Sequence, residues 1–271
     1  MVTLKVLFGK KILALGLLLL MGFTAPYSNP GTDTAITHSV VQAVEPEGAW
    51  LLTIPTTKEK AAMPNATAVK IMEDGFFSVA YYDKAGKEFL GTYGGTYKLA
   101  DGKITEQYEF NTFDTTAVGK SVTGDYTIMN DKMQLKGVKE ANATEVWEKI
   151  QAGQTASPLA GAWRISGRED NGQMNAMQPG PRKTIKMLSG DRFQWIAFNS
   201  ETAGFFGTGG GTFTTENGKY TENIEFFSRD SSRVGRQLAF DFEVKDGKWH
   251  HSGLSSTGKP INEVWQIYEM Q

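Results

Sequence analysis

The sequence predicts an all-β chain of two tandem antiparallel eight-stranded barrels, and three observations carry that prediction. First, the chain repeats itself. Gly48-Ala49-Trp50 returns as Gly161-Ala162-Trp163, and Gly91-Thr-Tyr-Gly-Gly-Thr-Tyr97 returns as Gly207-Thr-Gly-Gly-Gly-Thr-Phe213. Gly102-Lys-Ile-Thr-Glu-Gln-Tyr-Glu-Phe110 returns as Gly218-Lys-Tyr-Thr-Glu-Asn-Ile-Glu-Phe226, and Glu145-Val-Trp147 as Glu263-Val-Trp265. The offset drifts only from 113 through 116 to 118, so the period is that of a domain and not of a solenoid unit. Second, aromatic and β-branched runs alternate with polar residues at period two. Third, Asp-Gly and Asn-Gly dipeptides punctuate those runs, and they are able to take the positive φ angles of tight hairpins.

In the second copy the strands are expected near 161–167, 183–188, 192–198, 210–215, 219–227, 234–245, 248–254 and 262–269. Asn217-Gly218 and Asp246-Gly247 join neighbours, with Asp101-Gly102 and Asn130-Asp131 in the same places in the first copy. Connections this short force antiparallel pairing. Leu238, Phe240, Phe242 and Val244 alternate with polar partners, as do Val122, Gly124, Tyr126 and Ile128. One face therefore packs inward and the other meets solvent. Closing the sheet removes the exposed edges of an eight-stranded meander.

The chain has 271 residues, a net charge of −2 and no cysteine. That balance gives no electrostatic case for nucleic acid, and disulfides, thiolate metal sites and a cysteine nucleophile are excluded. Lys5, Lys10 and Lys11 precede an apolar run over 12–23, which reads as a secretory signal peptide over 1–25 or, uncleaved, as a membrane anchor. The expected domains follow: a tether over 26–46, a barrel over 47–150, a linker over 151–158 and a second barrel over 159–271. Export to the periplasm or beyond is the expectation, with membrane contact only through the N-terminal segment.

Gly48-x-Trp50 and Gly161-x-Trp163, each opening an antiparallel meander, resemble the first strand of lipocalins and the wider calycin group. The closing strands carry no Arg, which departs from the lipocalin pattern. The copies are most similar to the short lipocalin-like domains of exported bacterial proteins of unknown function. That resemblance implies a small ligand held inside a barrel, with the connection after the first strand acting as a lid. Met63-Pro64 and Met174, Met177, Pro179 and Pro181 hold that place.

The candidate ligand-binding residues are Glu106, Tyr108, Glu222, Trp249 and His251. Ile104, Glu106, Tyr108 and Phe110 share a face by alternation, as do Tyr220, Glu222, Ile224 and Phe226, so each Glu is expected to point inward. A buried carboxylate must be paired, hydrogen-bonded or protonated, and an internal ion pair is the plainer reading beside a ligand anchor. His251 falls on the Trp249 face, and a structural role is the plainer reading there too. Gly48, Trp50, Trp147, Gly161, Trp163 and Trp265 are assigned to structure, and the glycine runs to bulges and close backbone approach. No metal and no cofactor are expected. Three functions follow in order: an exported binding protein for a small apolar or amphipathic ligand, a non-catalytic interaction module of the cell envelope with filled barrels, and a barrel-borne isomerase or hydrolase using Glu222 and His251.

Overall fold

A computed structural model describes residues 45–153 and 157–269. The expected signal over 1–25 and all but the last two residues of the expected tether lie outside the described residues. In the first copy, β1 (Gly48–Ile54), β2 (Thr67–Glu73), β3 (Phe76–Asp83), β4 (Glu88–Ala100), β5 (Lys103–Asn111), β6 (Ser121–Met129), β7 (Lys132–Lys136) and β8 (Thr144–Lys149) follow one another around a closed antiparallel barrel. The closing pair is β1 with β8, Leu52 opposite Trp147. The hairpin dipeptides behave as their chemistry requires: Asp101 and Gly102 have φ of 51° and 71°, Asn217 and Gly218 51° and 74°.

The second copy repeats this order with β9 (Gly161–Asp170), β11 (Arg182–Ser189), β12 (Arg192–Asn199), β13 (Gly204–Glu216), β14 (Lys219–Phe227), β15 (Gln237–Lys245), β16 (Lys248–Leu254) and β17 (Pro260–Ile267), closed by β17 on β9. Two elements of the connection after the first strand were not expected. β10 (Gln173–Ala176) folds back on the end of β9 through an Asn171-Gly172 turn, a hairpin tongue with no counterpart in the first copy. In the first copy the same connection is a short helix, α1 (Thr57–Ala62), whose capping box joins Thr56 to Glu59. The strand expected from 234 begins at Gln237, because Asp230 caps a 3-10 turn over Ser231–Arg233 first.

Each barrel encloses a core of its own side chains. Trp50, Phe77, Tyr93, Tyr108, Met133 and Trp147 are buried in the first, and Trp163, Phe193, Phe213, Tyr220, Trp249 and Trp265 in the second. The opening tryptophans are fixed alike: the indole of Trp50 donates to the Pro46 carbonyl (2.8 Å) and that of Trp163 to the Leu159 carbonyl (2.9 Å). Each indole thereby satisfies its polar end while its rings stay buried.

The expected common face of β5 is corrected by a bulge. The register shifts between Gly94 and Gly95, and again between Gly210 and Gly211 in the second copy. Tyr108 and Ile224 stay with the barrel cores, whereas Phe110 and Phe226 join a third apolar cluster outside both barrels. An extra residue in one strand redirects the side chains beyond it. The glycines make room for this, since a Cβ on Gly210 would sit 2.5 Å from the Phe193 carbonyl and 2.6 Å from the Phe226 ring.

That third cluster joins the barrels into one compact unit. Its members come in repeat-equivalent pairs: Val69 with Ile185, Ile71 with Met187, Ala80 with Ile196. Phe110 packs on Phe198, and their equivalents Phe226 and Tyr82 pack on each other, both with ring centroids 4.9 Å apart. Such reciprocity is that of an isologous, two-fold interface, here between two copies in one chain. It explains why β2 and β3 are buried along nearly their whole length: one face lines a barrel and the other meets its neighbour.

Candidate functional site

The sequence-derived candidates all lie in the barrel cores. Glu106 is fully buried and pairs with Lys70, which reaches across from β2. Glu222 pairs with the equivalent Lys186 at 2.9 Å. The lysines are the partners that sequence reasoning missed. Each ammonium also sits among aromatic rings: Lys70 is 5.0 Å from Phe77 and 5.6 Å from Trp147, and Lys186 is 5.0 Å from both Tyr220 and Trp249. Ring faces attract a cation most strongly where water is excluded.

His251 lies against Phe240 (4.2 Å), Trp249 (5.3 Å) and Tyr220 (5.8 Å). Burial and the nearby Lys186 charge lower its pKa. Its Nδ1 is 3.5 Å from Glu263, whose other oxygen Arg168 holds at 2.7 Å. The Glu145 and Glu263 of the repeated Glu-Val-Trp motif thus also point inward, a second pair of carboxylates that the sequence reading left among the landmarks. Among the described residues no group of three His, Cys, Asp or Glu is placed to hold a metal ion.

At the mouth of the first barrel, α1 brings Glu59 onto Lys139 and Tyr81. Lys139 also donates to the Tyr81 hydroxyl (2.7 Å) and lies 3.6 Å from Glu145. Burial would raise Glu59, but the Lys139 charge and hydrogen bonds from Lys139, Tyr81 and the Thr56 amide bring it down to about 2. Burial dominates at Glu145 and, with the Glu59 charge, pushes it up to about 7 against the pull of Lys139. A cavity of about 230 Å³ lies beneath α1, with Met63, Pro64 and Tyr81 in its wall. In the first copy α1 thus occupies the connection after β1. The tongue of the second copy leaves Met174 and Met177 exposed instead.

A further cavity lies between the barrels. It is a cleft of about 620 Å³ walled by Thr96, Lys98, Gln107 and Glu109 of the first copy and by Arg164, Pro179–Pro181, Lys183 and Tyr268 of the second. Its floor is a closed polar network on stacked rings. Lys183 donates to Glu109 (2.5 Å) and to the Tyr268 hydroxyl (2.6 Å), and that hydroxyl donates to Glu109 (3.0 Å). Tyr268 stacks on Phe76 at 4.3 Å. Glu109 faces out of its own barrel by the alternation of β5, and the bulge there sends the next residue, Phe110, out beside it.

The pseudo-two-fold places Glu225 at the position of Glu109 on the opposite side. There Glu225 accepts from Tyr82 (2.8 Å), Lys84 (2.7 Å) and Arg192 (2.8 Å). The two sides have diverged. Arg164, Lys183 and Lys98 on the cleft side correspond to Leu51, Thr67 and Thr214 on the other.

The model of one protein family, described as a domain of unknown function (DUF4488), matches the chain twice, over 45–156 and 158–271. No curated protein matches the chain.

Proposed function

This chain belongs to the DUF4488 family and carries its domain twice, and from that premise we propose that it is a non-catalytic binding protein whose ligand site is the cleft between the barrels. The observation that supports this is a contrast of space. The barrel interiors hold buried rings and closed Lys–Glu pairs, whereas the cleft offers about 620 Å³, within the usual range of about 300–1,000 Å³ for small-molecule sites. Both copies contribute to its walls, so the duplication itself builds the site. The Gly-x-Trp opening and the lid-like α1 support a lipocalin-like ancestry, with the ligand moved from the barrel to the seam. The basic and apolar pattern of residues 1–25, read as an export signal, supports a role outside the cytoplasm.

The test is native mass spectrometry against a panel of small metabolites and lipids, on the parent and on Gln107→Trp, an exposed strand position in the cleft wall. Adducts that disappear in Gln107→Trp support the cleft. Adducts indifferent to it, and lost instead on Glu222→Gln, return the site to the barrel interior. The envelope-module reading, in which the filled barrels serve only to present surfaces to another protein, is favoured by the same packed cores and gains if nothing small binds.

A further inference from the structure

We propose that the cleft recognises the carboxylate or phosphate of a small hydroxylated molecule, and that Arg164 is the residue that holds this oxyanion; the proposal rests on the cleft being the ligand site. Arg164 is the observation that carries it. It lies on β9, where Trp163 and Ile165 point into the barrel core, and its own side chain lines the cleft. It is only 8 % exposed, yet it has no hydrogen bond or ion pair among the described residues. A guanidinium cannot shed its charge as a buried lysine can, because it stays protonated in proteins. A ligand that covers it must therefore supply an acceptor, because covering it without one is costly. A planar oxyanion relieves that cost by accepting two parallel N–H bonds.

The rest of the cleft fits the same class of ligand. The neighbouring cation, Lys183, is already neutralised by Glu109, so Arg164 is the open charge on the floor, with Lys98 on the wall. Thr96, Gln107 and Ser200 offer donors and acceptors for hydroxyl groups. Glu201 and Glu269 also line the cleft and are exposed, which disfavours a polyanion and suits a ligand with a single charged group. Divergence of the copies points the same way. The duplicated fold placed a leucine, Leu51, where the second copy has Arg164, and the opposite side closed its own polar network around Glu225 instead.

Isothermal titration with matched probes tests this on the full chain: glucose, glucuronate, glucose 6-phosphate and inorganic phosphate. Glucuronate or glucose 6-phosphate is expected to bind at least about tenfold more tightly than glucose, as one charge-assisted bidentate contact supplies. The preferred member of that pair tells a carboxylate from a phosphate ligand. Arg164→Gln is expected to weaken the charged probe about tenfold to a hundredfold and to leave glucose unchanged, with Arg164→Lys between. Because the charge preference is read on the parent chain, the test survives a variant that folds poorly. Equal binding of glucose and glucuronate, with Gln107→Trp still abolishing both, overturns the oxyanion assignment and leaves the cleft. Binding indifferent to Gln107→Trp overturns the cleft as well, and no saturable binding of any probe overturns the proposal.

Discussion

Phe110 of the first barrel packs on Phe198 of the second with ring centroids 4.9 Å apart, and the equivalent residues Phe226 and Tyr82 repeat that contact at 4.9 Å. The tandem copies therefore associate as two subunits of a symmetric dimer would, each giving the other the same patch. An apolar seam of this kind is expected to hold without the covalent link. Cutting the chain at a protease site placed within 154–156 is expected to leave the halves together on size exclusion. Phe198→Glu in the cut protein is expected to separate them. Halves that part on cleavage alone would show that the linker, and not the seam, joins the barrels.

Lys186 and Glu222 are each about 5 % exposed in their side chains and 2.9 Å apart. Breaking such a pair strands a buried charge, so Glu222→Gln is expected to cost about 3–5 kcal/mol in denaturant unfolding. Replacing both by Leu is expected to recover most of that loss, since an apolar pair carries no desolvation penalty. A double variant as unstable as the single one would mean that the pair positions the core in some way beyond charge.

Glu145 gives stability a definite pH dependence. Its folded-state pKa is raised to about 7 by burial, above the ordinary carboxylate value. The folded state thus holds its proton more tightly than the unfolded chain does. The site costs nothing below the unfolded pKa, and its cost grows as pH rises, reaching about 3 kcal/mol above pH 7. Glu145→Gln is expected to match the parent in thermal unfolding at pH 5 and to exceed it at pH 8. A gap that is constant with pH would show that Glu145 is ionised throughout.

Gly210 lets the Phe226 ring and the β12 backbone approach together. Gly210→Ala is expected to destabilise by about 1–3 kcal/mol, the range for overpacking a filled site. Gly218→Ala acts through a different cause, the positive φ of 74° in an otherwise open turn. A neutral Gly210→Ala in urea unfolding would place the ring elsewhere.

The repeat, the strands and the hairpins were legible because each rests on local chemistry: alternation, Gly-x-Trp, Asn-Gly. The inward direction of Glu106 and Glu222 followed from the same alternation. Their partners did not, because Lys70 and Lys186 lie on strands buried on both faces, where alternation vanishes. The bulge that sends Phe110 and Phe226 to the seam is a one-residue shift with no period of its own. Two local signals went unread, the Thr56-x-x-Glu59 capping box and the Asn171-Gly172 turn. By alternation Arg164 and Glu109 are outward strand positions, and only the packing of one barrel on the other makes them neighbours of a cleft.

The measurement that bears most directly on the account is an amide and indole NMR titration of the full chain with glucuronate. Shifts are expected at the amides of Arg164, Gly180 and Lys183 and none at the indoles of Trp147 and Trp249, which are sealed inside the barrels. Shifts confined to those two indoles, with the cleft amides unmoved, would contradict it.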